Sequence, residues 1–153
     1  AIVMKRVIRG YGRKTKEPDF PVLCTYCGGQ AEKVYGKDIA ELDNDSARHL
    51  ADTRYYYCRR CPAYVATHKG TWIPHGTLAD RDTRRARMEA HEEFDKLWKD
   101  GYMTRSDAYK WLSEKMELQV VNCHIGFFTE EQCKQAIRAC REFLKHKGNS
   151  NAS

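Results

Sequence analysis

Four cysteines in two C-x-x-C turns, Cys24-Thr25-Tyr26-Cys27 and Cys58-Arg59-Arg60-Cys61, constrain this chain more than any other feature. Two residues between cysteines let a tight turn aim both sulfurs at one ion. The N–H groups of the turn then point at the sulfurs and stabilise their negative charge. Two such turns supply four thiolates, enough to close a tetrahedral zinc site. Gly28, directly after the first pair, permits the close approach and positive φ that such a turn needs. Four cysteines fill the tetrahedron and leave no position for water, so the expectation is one structural Zn2+ held by Cys24, Cys27, Cys58 and Cys61. A redox or disulfide role for either pair is the alternative.

The chain holds seven cysteines, an odd number, and its first residues lack the apolar core of a secretory leader. A reducing, cytoplasmic setting is therefore expected, where clustered cysteines bind metal instead of forming disulfides. No apolar run approaches a membrane span, so no membrane partner is expected.

With 153 residues, 41% hydrophobic and 31% charged, the chain fits one domain or two small ones. Its formal net charge of +6 favours an anionic partner without demanding one. Residues 1–20 carry Lys5, Arg6, Arg9, Arg13, Lys14 and Lys16 against Glu17 and Asp19. That segment reads as a basic arm able to track phosphates, or as a solvated tail whose Ile2, Val3, Val7 and Ile8 dock as an edge strand.

The expected fold is α+β: a four-cysteine zinc ribbon over 21–77 followed by a compact three-helix region over 78–147, with a disordered tail at 148–153. In the ribbon, 31–35, 54–58 and 63–68 read as strands. Between the first two lies an insertion, 39–51, with turn chemistry at 43–46 and a short helix after Ser46. A connecting loop, 69–77, follows. Thr77 and Asp80 predict a capping box that starts a helix over 78–98, with Ala86, Ala90, Phe94, Leu97 and Trp98 as its apolar stripe and Gly101 as its stop. A second helix is expected after Thr104, with Asp107 at its third position and Ala108, Trp111, Leu112 and Met116 buried. A third has the capping box Thr129 to Gln132 and carries Cys133 and Cys140 on its core face, where they should be inert.

Arg81, Arg84 and Arg85 crowd the start of the first helix, where the helix end is already partially positive. Arginines gathered there suit an anion, although Arg84 with Asp80 and Arg85 with Glu89 also fit i,i+4 pairing. With Arg59 and Arg60 on the second knuckle and His68 and Lys69 in the loop, these residues and the arm cations Lys5, Arg6, Arg13 and Lys14 are the candidate nucleic-acid contacts. Tyr55, Tyr57, Tyr64 and Trp72 would be the aromatic faces among them, or simply core. His68, His75, Asp80 and Asp82 raise a metal-dependent nuclease, but no H-E-x-x-H or comparable motif supports it, and His91 fits a core histidine better.

Several segments resemble a family of phage and bacterial proteins with a zinc-finger-containing domain. They are Cys24-Thr-Tyr-Cys27-Gly28, Cys58-Arg-Arg-Cys61, His68-Lys-Gly-Thr71, Pro74-His-Gly-Thr-Leu-Ala79, Arg87-Met-Glu-Ala-His91, Phe94-Asp-Lys-Leu-Trp98, Met103-Thr-Arg-Ser-Asp-Ala-Tyr109 and Cys123-His-Ile-Gly126. The resemblance spans roughly 21–145, leaving out the arm 1–20 and the insertion 39–53. It implies a four-cysteine zinc site and a phage or mobile-element origin, and supplies no activity or catalytic residue. The functional expectation is a non-catalytic, zinc-binding protein whose partner is nucleic acid, DNA foremost. The alternative is a phage-encoded adaptor or inhibitor that binds a host protein through the ribbon.

Overall fold

The computed structural model describes residues 17–40, 42 and 50–152. The arm cations Lys5, Arg6, Arg13 and Lys14, the edge strand expected near them, and the turn at 43–46 with its following helix lie outside the described residues. The chain divides into two compact units between Arg81 and Asp82.

The first unit is built on a three-stranded antiparallel sheet, in the order β1 (Glu32–Tyr35), β2 (Arg54–Cys58) and β3 (Ala63–Ala66). Pairing sets Val34 against Tyr55 and Tyr55 against Ala66. Because side chains alternate across a strand, Val34, Tyr55 and Tyr57 pack on one face with Ile39. Tyr56 packs on the other with Cys24, Ala31, Ala63, Val65 and Leu78. The central strand is thus buried on both sides. Tyr55 and Tyr57 are core residues, not the solvent-facing aromatics that base stacking would need.

The 36–53 connection is tied shut at its base. The Gly36 N–H donates to Thr53 O (2.9 Å) and the Lys37 N–H to Ala51 O (3.2 Å). A Cβ on Gly36 would fall 1.8 Å from Leu50 O, so only glycine allows this approach.

Leu78 and Ala79 belong to the ribbon and not to the first helix. The Ala79 N–H donates to Tyr64 O (3.0 Å) and the Tyr64 N–H to Ala79 O (3.1 Å), a bridge that holds Ala79 extended. The expected start at Leu78 is therefore corrected to Arg81, since the sheet claims the backbone groups that a helix would use.

The second unit holds α1 (Arg81–Lys99), α2 (Arg105–Lys115) and α3 (Glu130–Ala152). Its core runs through Ala86, Ala90, Phe94 and Leu97 of α1, Ala108 and Leu112 of α2, and Cys133, Ala136, Ile137 and Cys140 of α3. Gly101 stops α1 at φ +82°. The Thr104 side chain caps α2 by accepting from the Asp107 N–H (3.1 Å). The Thr129 capping box is complete: the Thr129 N–H donates to Gln132 Oε1 (2.9 Å) and the Gln132 N–H to Thr129 Oγ1 (3.2 Å). Two departures from expectation occur. α3 continues through Ala152, across the stretch expected to be a tail. Glu89 pairs with Arg141 of α3 (2.7 Å) and not with Arg85. Among the described residues, no helix is long and apolar enough to cross a membrane.

Candidate metal centre

Each knuckle is made by its neighbouring backbone. After Cys24, the Gly28 N–H donates to Cys24 O (2.9 Å) and the Cys24 N–H to Gly29 O (2.8 Å), closing a turn in which Gly28 takes φ +74°. The Tyr26 N–H points at Cys24 Sγ and the Gly29 N–H at Cys27 Sγ, each 3.4 Å away. The second knuckle is the turn of the β2–β3 hairpin, with Cys58 paired to Ala63. Segment 78–80 braces the first knuckle: Thr25 Oγ1 donates to Leu78 O (3.0 Å), and the Asp80 N–H donates to the Tyr26 hydroxyl oxygen (3.0 Å). This bracing was invisible in the sequence, because the partners stand 53 and 54 positions apart.

The four Sγ atoms lie within 4.8 Å of one another, and those of Cys27 and Cys58 are 3.7 Å apart. Zn–S bonds of about 2.3 Å set the sulfurs of a regular tetrahedron roughly 3.8 Å apart. Donor type, number and spacing therefore all fit zinc. The thiols themselves call for a cation. The Gly29 N–H, foremost, lowers Cys27 to about 7. Desolvation raises Cys24 and, together with the neighbouring thiols, pushes Cys61 up to about 12. Four sulfurs this close ionise together only with positive charge among them, and a bound metal supplies it. Cys24, Cys27, Cys58 and Cys61 form a structural zinc site whose donors leave no place for a reacting water.

The other candidates fall in different places. Arg59 and Arg60 are exposed on the second knuckle. Arg59 pairs with Glu32 (3.1 Å) and lies over the Tyr57 ring. His68 and Lys69 follow β3 at the far end of the same hairpin, so the sheet separates them from the knuckle arginines. His68 and His75 come together, their rings 4.0 Å apart, and His75 is lowered by desolvation and by His68. Among the described residues, no third ligand joins them to make a metal-binding group. Arg81, Arg84 and Arg85 occupy the first turns of α1, with Arg81 and Arg85 exposed and Arg84 half-buried. His91, expected in the core, is exposed on α1. Cys133 and Cys140 lie on the core face as expected, and Cys123 is buried beside them. Burial pushes Cys123 and Cys133 up to about 11 and Cys140 up to about 12.

No curated protein and no solved structure shows significant similarity to the chain. A family described as a zinc-finger-containing domain matches residues 20–143, from just before the first knuckle into α3. With the paired knuckles and their four converging thiols inside that span, the chain belongs to this zinc-finger-containing family.

Proposed function

We propose that this chain is a non-catalytic nucleic-acid-binding protein, with DNA foremost, whose ribbon is folded by zinc. The observation that carries this reading is a set of cations left without acidic partners. Arg60, Lys69, Arg81 and Arg85 are exposed and make no ion pair among the described residues. On the helices Lys96, Lys99, Lys134 and Arg141 are each matched to a carboxylate, while the exposed Lys110, Lys115 and Lys145 likewise make no ion pair among the described residues and add to the unmatched positive charge. Unmatched cations on a chain of net charge +6 favour a polyanion. The arm cations are a further part of the proposed contact, and a reducing compartment of a phage-infected or bacterial cell is the proposed setting.

The test is a titration of labelled duplex and single-stranded DNA at several salt concentrations, with the wild type, Arg60→Ala and Arg85→Ala. Each lost phosphate contact should lower the magnitude of the log–log salt slope by roughly one. No affinity at low salt for either form overturns the reading. A second reading, an adaptor that binds a host protein, is favoured by Leu23, an apolar side chain 55% exposed beside the first knuckle. Such a complex would survive salt that strips nucleic acid away.

A further inference from the structure

On the sheet face that carries Tyr56, the pairing of β1 with β2 sets Tyr35 opposite Arg54 and Lys33 opposite Tyr56. Trp72, delivered by the loop after β3, lies among these four side chains. Its ring centroid is 5.3 Å from the Arg54 guanidinium carbon and 5.5 Å from Lys33 Nζ. Tyr35 and Tyr56 meet the Trp72 ring edge-on at 6.0 and 5.9 Å. Lys37 Nζ stands 5.8 Å from the Tyr35 ring centre. Tyr56 is buried and fixes the assembly through its hydroxyl, which donates to Trp72 O at 2.7 Å. Trp72 is half-buried and Tyr35 is exposed, with Lys33 and Arg54 lying over the Trp72 ring and Lys37 over the Tyr35 ring, so a stacking base takes the place of long, mobile cationic side chains. A groove of about 780 Å³, bounded in part by Glu17, Phe20, Lys33 and Tyr56, adjoins this face. That volume lies in the roughly 300–1,000 Å³ range of small-ligand clefts.

We infer that this face binds single-stranded nucleic acid, stacking unpaired bases on Tyr35 and Trp72 while Lys33, Lys37 and Arg54 meet the adjoining phosphates. The inference rests on the nucleic-acid reading above and specifies which form of nucleic acid is taken and where. Bases in a duplex are already stacked on each other and present no free ring face. Single strands do, and rings covered by cations that can swing aside to phosphates suit both parts of a nucleotide. Of these five residues, only Trp72 was among the candidates picked out by local sequence. Among the described residues, the carboxylates Glu17, Asp19 and Glu32 line the groove, and Asp38 stands beside Tyr35. Glu17 makes an ion pair with Lys33, and Asp38 accepts from the Tyr35 N–H at 3.0 Å. Glu17 therefore competes with phosphate for Lys33, and removing its charge should tighten binding.

The experiment uses the zinc-loaded full chain with a labelled oligo(dT) strand and a duplex of equal length. The strand should bind more tightly than the duplex. Tyr35→Ala should weaken strand binding about 10-fold, within the cost typical of a lost base stack, and leave duplex affinity unchanged. Glu17→Gln should tighten strand binding several-fold. Strand binding should quench tryptophan fluorescence, and most of that quenching should vanish in Trp72→Phe, which keeps a ring in the packing. A strand affinity that Tyr35→Ala leaves intact, or a quench that Trp72→Phe leaves intact, overturns the inference. Duplex binding without strand preference overturns it while sparing the broader nucleic-acid reading. No binding to either form overturns both.

Discussion

In the helical unit the buried side chains of α1, α2 and α3 form one continuous cluster from Ala86 to Cys140, whereas in the ribbon they divide between the two faces of a three-stranded sheet. A divided core excludes less water per residue, and small layers of this kind seldom hold on their own. The metal makes up the difference. The same residue type shows the contrast most directly. In the ribbon, cysteines converge at one point and give up protons to an ion. In the helical unit, Cys123, Cys133 and Cys140 are wholly buried, neutral, and serve as small apolar side chains.

Removing zinc tests the contrast most severely, because structural zinc contributes on the order of 10 kcal/mol. With a strong chelator, the four ribbon thiols should become reactive to a thiol reagent while the other three of the seven stay protected and the helical circular dichroism persists. Exposure of all seven together would show that the helical unit depends on the ribbon. Phe94→Ala is the reciprocal test. Phe94 is fully buried and packs 4.9 Å from Tyr109. Its truncation should cost about 3–5 kcal/mol, seen as an earlier loss of helical signal, with one zinc per chain retained.

Gly36→Ala should have a smaller effect, confined to the ribbon. The new methyl group would collide with Leu50 O at 1.8 Å, and the strain should cost about 1–3 kcal/mol. Zinc release to a chelating dye should quicken while the melting of the helical unit stays unchanged. The smallest effect expected is a gain. α2 ends with the Leu118 N–H donating to Ser113 O (2.9 Å) and the Glu117 N–H to Glu114 O (3.2 Å), with Glu117 in the left-handed region at φ +55°. Glycine is at ease there, so Glu117→Gly should stabilise the helical unit by about 0.5–1 kcal/mol. A thermal melt should register this as a rise of a few degrees.

What could be read from sequence follows how far apart the interacting partners lie. The knuckles, the caps at Thr104 and Thr129 and the apolar stripes depend on residues a few positions apart, and all were legible. The start of α1 was not. Thr77 and Asp80 imitate a capping box, but Leu78 fills the ribbon core and Ala79 bonds to Tyr64, a strand distant in sequence. The grouping of Lys33, Tyr35, Arg54 and Trp72 was equally hidden. It depends on the register of β1 against β2, and the long connection between those strands left that register unspecified. The tyrosines of β2 looked ambiguous because alternation assumes one wet face, and this strand has none.

The closure at Gly36 separates the sheet from whatever length of chain lies between β1 and β2. Strand register is held by the bonds at the base, Gly36 to Thr53 and Lys37 to Ala51, so it does not depend on the residues beyond them. Lengthening a flexible loop costs only the logarithm of its length, about 0.6 kcal/mol per doubling. The connection is therefore a place where a reporter peptide can be grafted into the ribbon with little thermodynamic penalty and without disturbing the metal site.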